Sequence, residues 1–386
     1  MSSQIPKQVR ARGAYRAKSA VFMPPGQQLQ VNIDTGDQIV SVRMGNYNAH
    51  GTIGKVPNGI WIFGEGSGAD IYDAEHRFRN AVEDSVAVVS FLTNAATEEP
   101  TLEILYEVTP ESEEHDALFL SQTDRYSVPP SVVRESPKFV RAGMKALAEH
   151  EYSETLWQGI SRYMTALRHW GKGEGLMSFA FLYMAMEALT PIARVPLLEQ
   201  FGGADGLAEH WGIDKRQVDA EIRKRILFDG DLGLYKSARK ASDSLEHGYG
   251  EIDAIIKVAA RHVKKLAGRV RSYIVQQLFA GGRRTVLLSD NYNFPLSCLP
   301  ATITIRGMLT GSRSDLVNPV HPPTVRFTAE ATHMLRDRGL DWRVQWRVSD
   351  LEQPKAGGVT FTRTADGQNA FEVDGVPMSD LGGVHD

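Results

Sequence analysis

Apolar and polar residues alternate at Leu29, Val31 and Ile33, at Val40 and Val42, and at Ile60 and Ile62. A period of two is the mark of a half-buried strand. Asp34-Thr35-Gly36-Asp37 and Pro57-Asn58-Gly59 provide turn signals along this stretch. The period then lengthens. Phe78, Val82, Val86 and Val89 form one apolar stripe and predict a helix over about 73–93. Leu102, Ile104, Tyr106 and Val108 return to alternation and predict another strand. Gly64-Glu65-Gly66-Ser67-Gly68 is glycine-rich and reads as a loop. Residues 1–130 are therefore expected to form a small α+β domain.

Tyr126-Ser127-Val128-Pro129-Pro130 and Ser136-Pro137 break this rhythm, because proline fixes φ and removes a donor. Helical spacing follows. One helix is expected over about 138–149 and a second around Leu156, Ile160, Tyr163 and Leu167. A third, Leu176 to Leu189, is apolar on almost every side, as a central bundle helix would be, with Pro191 as its end. Further helices are expected over about 215–228, 232–246 and 251–278, separated by Asp229-Gly230-Asp231 and by His247-Gly248. Gly281-Gly282 marks a boundary, after which strands are expected at 302–305, 325–328, 342–348 and 359–364. Thr364 to Gln368 resembles a hairpin turn leading into Phe371-Glu372-Val373. Trp342 and Trp346 share strand parity and suit a core face, with a ligand surface beside Arg343 and Arg347 as the alternative. The fold class expected is α+β multidomain: an N-terminal α+β domain over 1–130, an all-α bundle over 131–280 and a β-rich domain over 281–386.

Charge changes the picture locally. The chain has 386 residues with 43 Lys and Arg against 47 Asp and Glu, a net charge of -4 that excludes a histone-like or strongly acidic protein. Yet the first 33 residues hold no acid and carry Lys7, Arg10, Arg12, Arg16 and Lys18. Such an arm is a nucleic-acid contact, a frayed terminus or, third, a transit-peptide-like segment. The lone Cys298 excludes an internal disulfide or a cysteine zinc cage and fits a reducing cytoplasm. No apolar run nears the 18 residues of a membrane span, and no secretory core is present, so a cytoplasmic protein without a membrane partner is expected. The histidines make no two-His helical metal motif, and neither a phosphate loop nor a nucleophile elbow occurs, so neither a metal nor another cofactor is expected.

Arg239, Asp243 and His247 lie four residues apart and form one polar stripe on a helix. Imidazole can exchange a proton near neutral pH, a carboxylate can orient it, and a guanidinium can hold a phosphate. The plainer reading is a solvated Arg239–Asp243 pair, with His247 against the helix C-terminal carbonyls. A helical bundle whose penultimate helix ends in a polar residue, a short spacer and His-Gly resembles the HEPN superfamily. Tyr163 to Trp170, Phe181 to Leu189 and Ala238 to Gly250 are similar to a group of bacterial proteins with a HEPN-like helical domain. The resemblance spans about 138–280, the N-terminal part more loosely, and stops before the C-terminal strands. It implies a homodimer or larger homo-oligomer. In active members, an Arg–polar–spacer–His motif from each of two subunits meets at the interface and cuts RNA without a metal. Here His247 matches the histidine and Asp243 the polar residue, while Ser242 occupies the arginine position; Arg239, one turn earlier, is the substitute cation.

From Ala254 to Leu278 there is no acid, and Lys257, Arg261, Lys264, Lys265, Arg269 and Arg271 fall within a sector of about 160°. Such a face attracts phosphates or merely solvates the helix; Lys257, Arg261, Lys264 and Lys265 are the nucleic-acid candidates. Ala208, Gly212, Val218 and Ile222 follow helix-turn-helix spacing, with Lys215 and Arg216 favouring DNA and Asp214, Asp219 and Glu221 opposing it; an ordinary helical corner is the stronger reading. The leading expectation is a HEPN-like protein that binds RNA or a nucleotide in bacterial stress or phage defence, with metal-independent ribonuclease activity on a degenerate motif. The alternative is a non-catalytic assembly protein that binds a protein partner through its C-terminal domain.

Overall fold

A computed structural model describes residues 8–24, 28–34, 39–48, 56–109, 117–119, 128–171, 175–247, 252–312, 316, 323–354, 359–363, 371–374 and 376–377. It is an α+β multidomain chain. The first part runs β1 (Val9–Lys18), β2 (Val21–Phe22), β3 (Leu29–Asp34), β4 (Ile39–Asn48), β5 (Pro57–Gly68), α1 (Ile71–Thr93), β6 (Thr101–Glu107) and β7 (Ala117–Phe119). All of these strands except β2 form one antiparallel sheet in the order β3-β4-β5-β1-β6-β7.

From Val9 to Lys18 the acid-free N-terminal segment is neither an arm nor a frayed end, for β1 is flanked by β5 and β6. Its charges find partners on those neighbours: Arg10 and Arg12 pair with Glu65, and Arg16 pairs with Glu103 at 2.8 Å. Lys18 is buried, and Lys7 lies outside the described residues. The glycine-rich stretch expected to be a loop is the second half of β5. Gly64, Gly66 and Gly68 face α1, which rests directly on them. A Cβ at Gly64 would overlap the Ser41 carbonyl oxygen and lie 2.7 Å from the Phe78 ring, and one at Gly68 would strike the backbone of Asp73 and Ala74. Glycine here serves close helix–sheet approach rather than a turn.

The middle of the chain contains β8 (Val132–Glu135), α2 (Val140–Ala148), α3 (Ser153–Arg168), α4 (Gly175–Gln200), α5 (Ala204–Trp211), α6 (Val218–Ile222), α7 (Leu232–His247), α8 (Ile252–Phe279) and α9 (Arg283–Asn291). Helix α4 does not stop at Pro191. It carries both Pro191 and Pro196 within its length. An interior proline costs about 3 kcal/mol; packing against α3, α7 and α8 offsets that cost. By length and composition α4 is the one helix among the described residues able to cross a membrane, and 61% of its most apolar window is buried inside the protein. Helix α9, beyond Gly281-Gly282, was also not expected. Only Leu288 among its residues is fully buried, so it has little apolar periodicity to betray it.

The last part holds β9 (Ile303–Ile305), β10 (Gly307–Thr310), β11 (Arg326–Arg336), β12 (Asp341–Glu352), β13 (Thr360–Arg363), β14 (Phe371–Val373) and β15 (Val376–Pro377). β13 pairs with β10, and β14 with β9 and β15, so β13 and β14 do not form the expected hairpin; residues 364–368 lie outside the described residues. A four-stranded sheet, β11-β12-β8-β2, combines strands from all three parts of the chain. Arg134 of β8 stands at its centre, 2% exposed. It bonds Asp341 in bidentate fashion and donates to the carbonyls of Asn94 and Phe294. Trp346 joins a small second core with Val56, Ala301, Ala331, Val344 and Val373, and Trp342 packs edge-on against Phe22. Arg343 and Arg347 pair with Asp337 and Glu330. The main hydrophobic cluster is continuous from Ala11 to Cys298 and passes through both the sheet–α1 layer and the helices.

Candidate functional site: a cationic groove on helix α7

Helix α7 is anchored at its start. The Asp231 carboxylate accepts a 2.9 Å hydrogen bond from the Leu234 amide and forms an ion pair with Lys265, which together hold its pKa below the usual carboxylate range, Lys265 having the larger effect. Asp229 pairs with Arg269 at 2.7 Å. These contacts set the start of α7 beside the second half of α8, so the two helices pack as an antiparallel pair. Leu234, Tyr235, Ala238, Ala241 and Ser242 face inward and are buried. Ser242 is therefore part of the packed face, whereas Arg239 is exposed on the outward face.

The outward face of α7 and the segment 221–224 line a groove of about 740 Å³. Lys224, Lys236, Arg239 and Lys240 bring four cations to it, and Glu221 and Asp243 bring two carboxylates. Glu221 is held by Lys224 and by Arg225 at 3.3 Å, which keep its carboxyl below the usual range, Lys224 most of all. Lys236 and Lys240 have no ion-pair partner among the described residues. Beneath the groove, the Lys224 ammonium lies 5.5 Å from the centroid of the Tyr235 ring, within cation–π range. Tyr235 meets Phe228 edge-on at 5.3 Å, and its hydroxyl lies close to Arg239. The wall carrying Lys224 is irregular. After α6, residues Arg223–Leu227 wind as a single π-helical turn, a feature common at functional sites.

The expected stripe is brought together in part. Arg239 and Asp243 pair at 3.5 Å, both more than half exposed, so the solvated pairing is present and it lies on the groove. His247 is the last residue of α7, one turn beyond Asp243, but its side chain lies outside the described residues. On α8, the six-cation face divides. Lys257, Arg261 and Lys264 are exposed with no ion-pair partner among the described residues, while Lys265 and Arg269 are occupied by Asp231 and Asp229. Arg271 is buried. It donates to the Leu92 and Leu288 carbonyls at 3.0 Å each, and burial lowers its pKa to about 10. It sits at the edge of the sector, where the helix turns toward α1 and α9.

Residues 207–222 form a packed corner. Gly212 takes φ +64 at the end of α5, a 3-10 turn covers Lys215–Gln217, and Val218 and Ile222 are buried. Lys215 is bonded to Asp205 at 2.9 Å. Sequence reasoning missed Lys236 and Lys240, although their spacing of four around Arg239 is the same signal that singled out the stripe. Lys224 was out of reach, because a π turn leaves no periodic trace.

Cys298 is buried, and its thiol is pushed up to about 12 by that burial. Among the described residues no three His, Cys, Asp or Glu side chains are grouped as a metal site. No protein-family model, no curated protein and no solved structure matches this chain.

Proposed function

We propose that this chain binds RNA or a nucleotide through the groove on α7, in a helical region of HEPN type, in the cytoplasm of a bacterium under stress or phage attack. The observation that carries this reading is the convergence of Lys224, Lys236, Arg239 and Lys240 on one groove above the Tyr235 ring. Cations bind phosphates, and the exposed Arg239 guanidinium offers a plane for a base to stack on. Lys257, Arg261 and Lys264 on the adjacent helix extend the positive surface. On this reading Arg239 holds a phosphate and Asp243 orients His247, which serves as acid and base where the bound RNA is cut.

Fluorescence anisotropy with a labelled mixed-sequence RNA 20-mer, and with a labelled ATP analogue, tests the proposal. Saturable binding that is lost in Lys236→Glu/Lys240→Glu supports it; binding to neither probe, or binding unchanged in that variant, overturns it. Gel analysis of the same RNA with wild type and His247→Ala separates cutting from holding.

A second reading, assembly, rests on Ile252 and Ile256. They are 66% and 41% exposed and one turn apart on α8. Light scattering over a range of concentrations is the check. An oligomer that dissociates in Ile252→Asp/Ile256→Asp supports it, and a monomer at every concentration removes it.

A further inference from the structure

We propose that the pocket bordered by α1, α2, α3 and β3, on a different part of the molecule from the α7 groove, is a binding site for a small organic ammonium ion with an apolar or aromatic body.

The pocket has a volume of about 290 Å³, near the lower limit of about 300 Å³ for small-molecule sites. Its walls are apolar: Val88 from α1, Met144 and Leu147 from α2, and the Trp157 indole from α3. Two polar groups break that lining on one turn of α1. Asp84 makes no ion pair and no hydrogen bond with any described residue. Ser85 is 2% exposed, and its buried hydroxyl has no hydrogen-bond partner among the described residues. A third, Glu154, stands at the exposed start of α3.

A native interior rarely leaves buried polar groups unpaired, because each costs about 1–3 kcal/mol. Here Ser85 is such a group, and its neighbour Asp84, half-buried, borders the same cavity. The charged residues described in the lining, Asp84 and Glu154, are of one sign. Burial raises the Asp84 carboxyl to about 6, Glu83 adds to the rise, and no cation opposes it. An ammonium group would supply the missing counter-charge and donate to Asp84, and charge-assisted hydrogen bonds of this kind are the strong ones. The aromatic face of Trp157 suits a cation or the apolar body attached to it. An anion meets two carboxylates and no cation in this lining.

Isothermal titration calorimetry on the full chain, with benzylamine as the ammonium probe and benzyl alcohol as its neutral counterpart, tests the assignment. The expected result is one saturable benzylamine site in the millimolar range or tighter, with benzyl alcohol at least about tenfold weaker. Asp84→Asn keeps the shape of the side chain and is expected to weaken benzylamine about tenfold while leaving benzyl alcohol unchanged. Trp157→Leu is the independent second variant and is expected to weaken both probes. Equal affinity for amine and alcohol, benzylamine affinity unaffected by both substitutions, or no saturable benzylamine binding overturns the proposal. RNA affinity does not enter any of these outcomes.

Discussion

The hydroxyl of Tyr163, at the centre of α3, donates a 2.8 Å hydrogen bond to the side-chain oxygen of Asn94, the left-handed residue that ends α1. The Asn94 amide in turn donates to the Tyr292 carbonyl at 2.7 Å. One side chain thereby links the helix that covers the first sheet to the helical layer and to the end of α9. Tyr163→Phe keeps the ring and leaves the Asn94 oxygen unpaired in a closed environment. A loss of about 1–3 kcal/mol in urea-unfolding stability is expected. A change of less than a few tenths would show that the bond adds nothing.

Gly68→Ala places a methyl group against the backbone of Asp73 and Ala74, which begin α1 and have no side-chain freedom with which to yield. The expected cost is about 2 kcal/mol or more. Gly45→Ala, in the same sheet, meets nothing within 4 Å, and its midpoint in the same urea titration should stay within about 0.5 kcal/mol of wild type.

Asp84 gives stability a pH dependence opposite to that of a salt-bridged carboxylate. Its folded pKa of about 6 lies above the ordinary value of 3.8, so the native state binds its proton more tightly than the unfolded chain does. That contribution is full below about pH 4 and is lost as the pH rises through 6. Asp84→Asn should therefore stabilise the ligand-free protein at pH 7.5 by about 1–2 kcal/mol, a range reduced for the group's partial contact with water, and by nearly nothing at pH 4. Unfolding midpoints at the two pH values give the comparison, and an equal effect at both would refute it.

The cations of α8 are not equivalent. Lys264 has no ion-pair partner among the described residues, and Lys265 is held by Asp231. Lys264→Gln is expected to weaken RNA binding and to flatten its salt dependence by about 0.7 in log–log slope, the value for one phosphate contact on a single strand. Lys265→Gln should change affinity less and stability more, because it frees the start of α7. Anisotropy titrations at several salt concentrations, beside thermal unfolding, decide this, and equal slopes for the two variants would contradict it.

Much of the secondary structure could be read from spacing. The strands at Leu29–Asp34 and Thr101–Glu107 and the helices α1, α3, α7 and α8 follow the periods of their apolar residues closely. What failed did so for identifiable reasons. Gly64 to Gly68 carries a turn composition, but the demand behind it is contact with α1. Pro191 is a local helix breaker that tertiary packing overrides. Arg10, Arg12 and Arg16 resemble a basic arm in the sequence because their partners, Glu65 and Glu103, are far away along the chain. Arg271 looked like part of a charged face because its partners are the carbonyls of Leu92 and Leu288, which no charge pattern reveals. At the site, spacing located Arg239 and Asp243, whereas the opposite wall at Lys224 is created by the fold.

The position of Arg134 constrains the order in which the chain can assemble. Its guanidinium is buried between the end of α1 and β12, and its counter-charge, Asp341, follows it by 207 residues. As the chain emerges from a ribosome, β2 and β8 are available early, but their arginine has no carboxylate until most of the remaining protein has been made. The four-stranded sheet is therefore a late event in biosynthesis. A chain truncated before residue 341 would leave Arg134 without its counter-charge, which favours an open, chaperone-accessible state over a closed one.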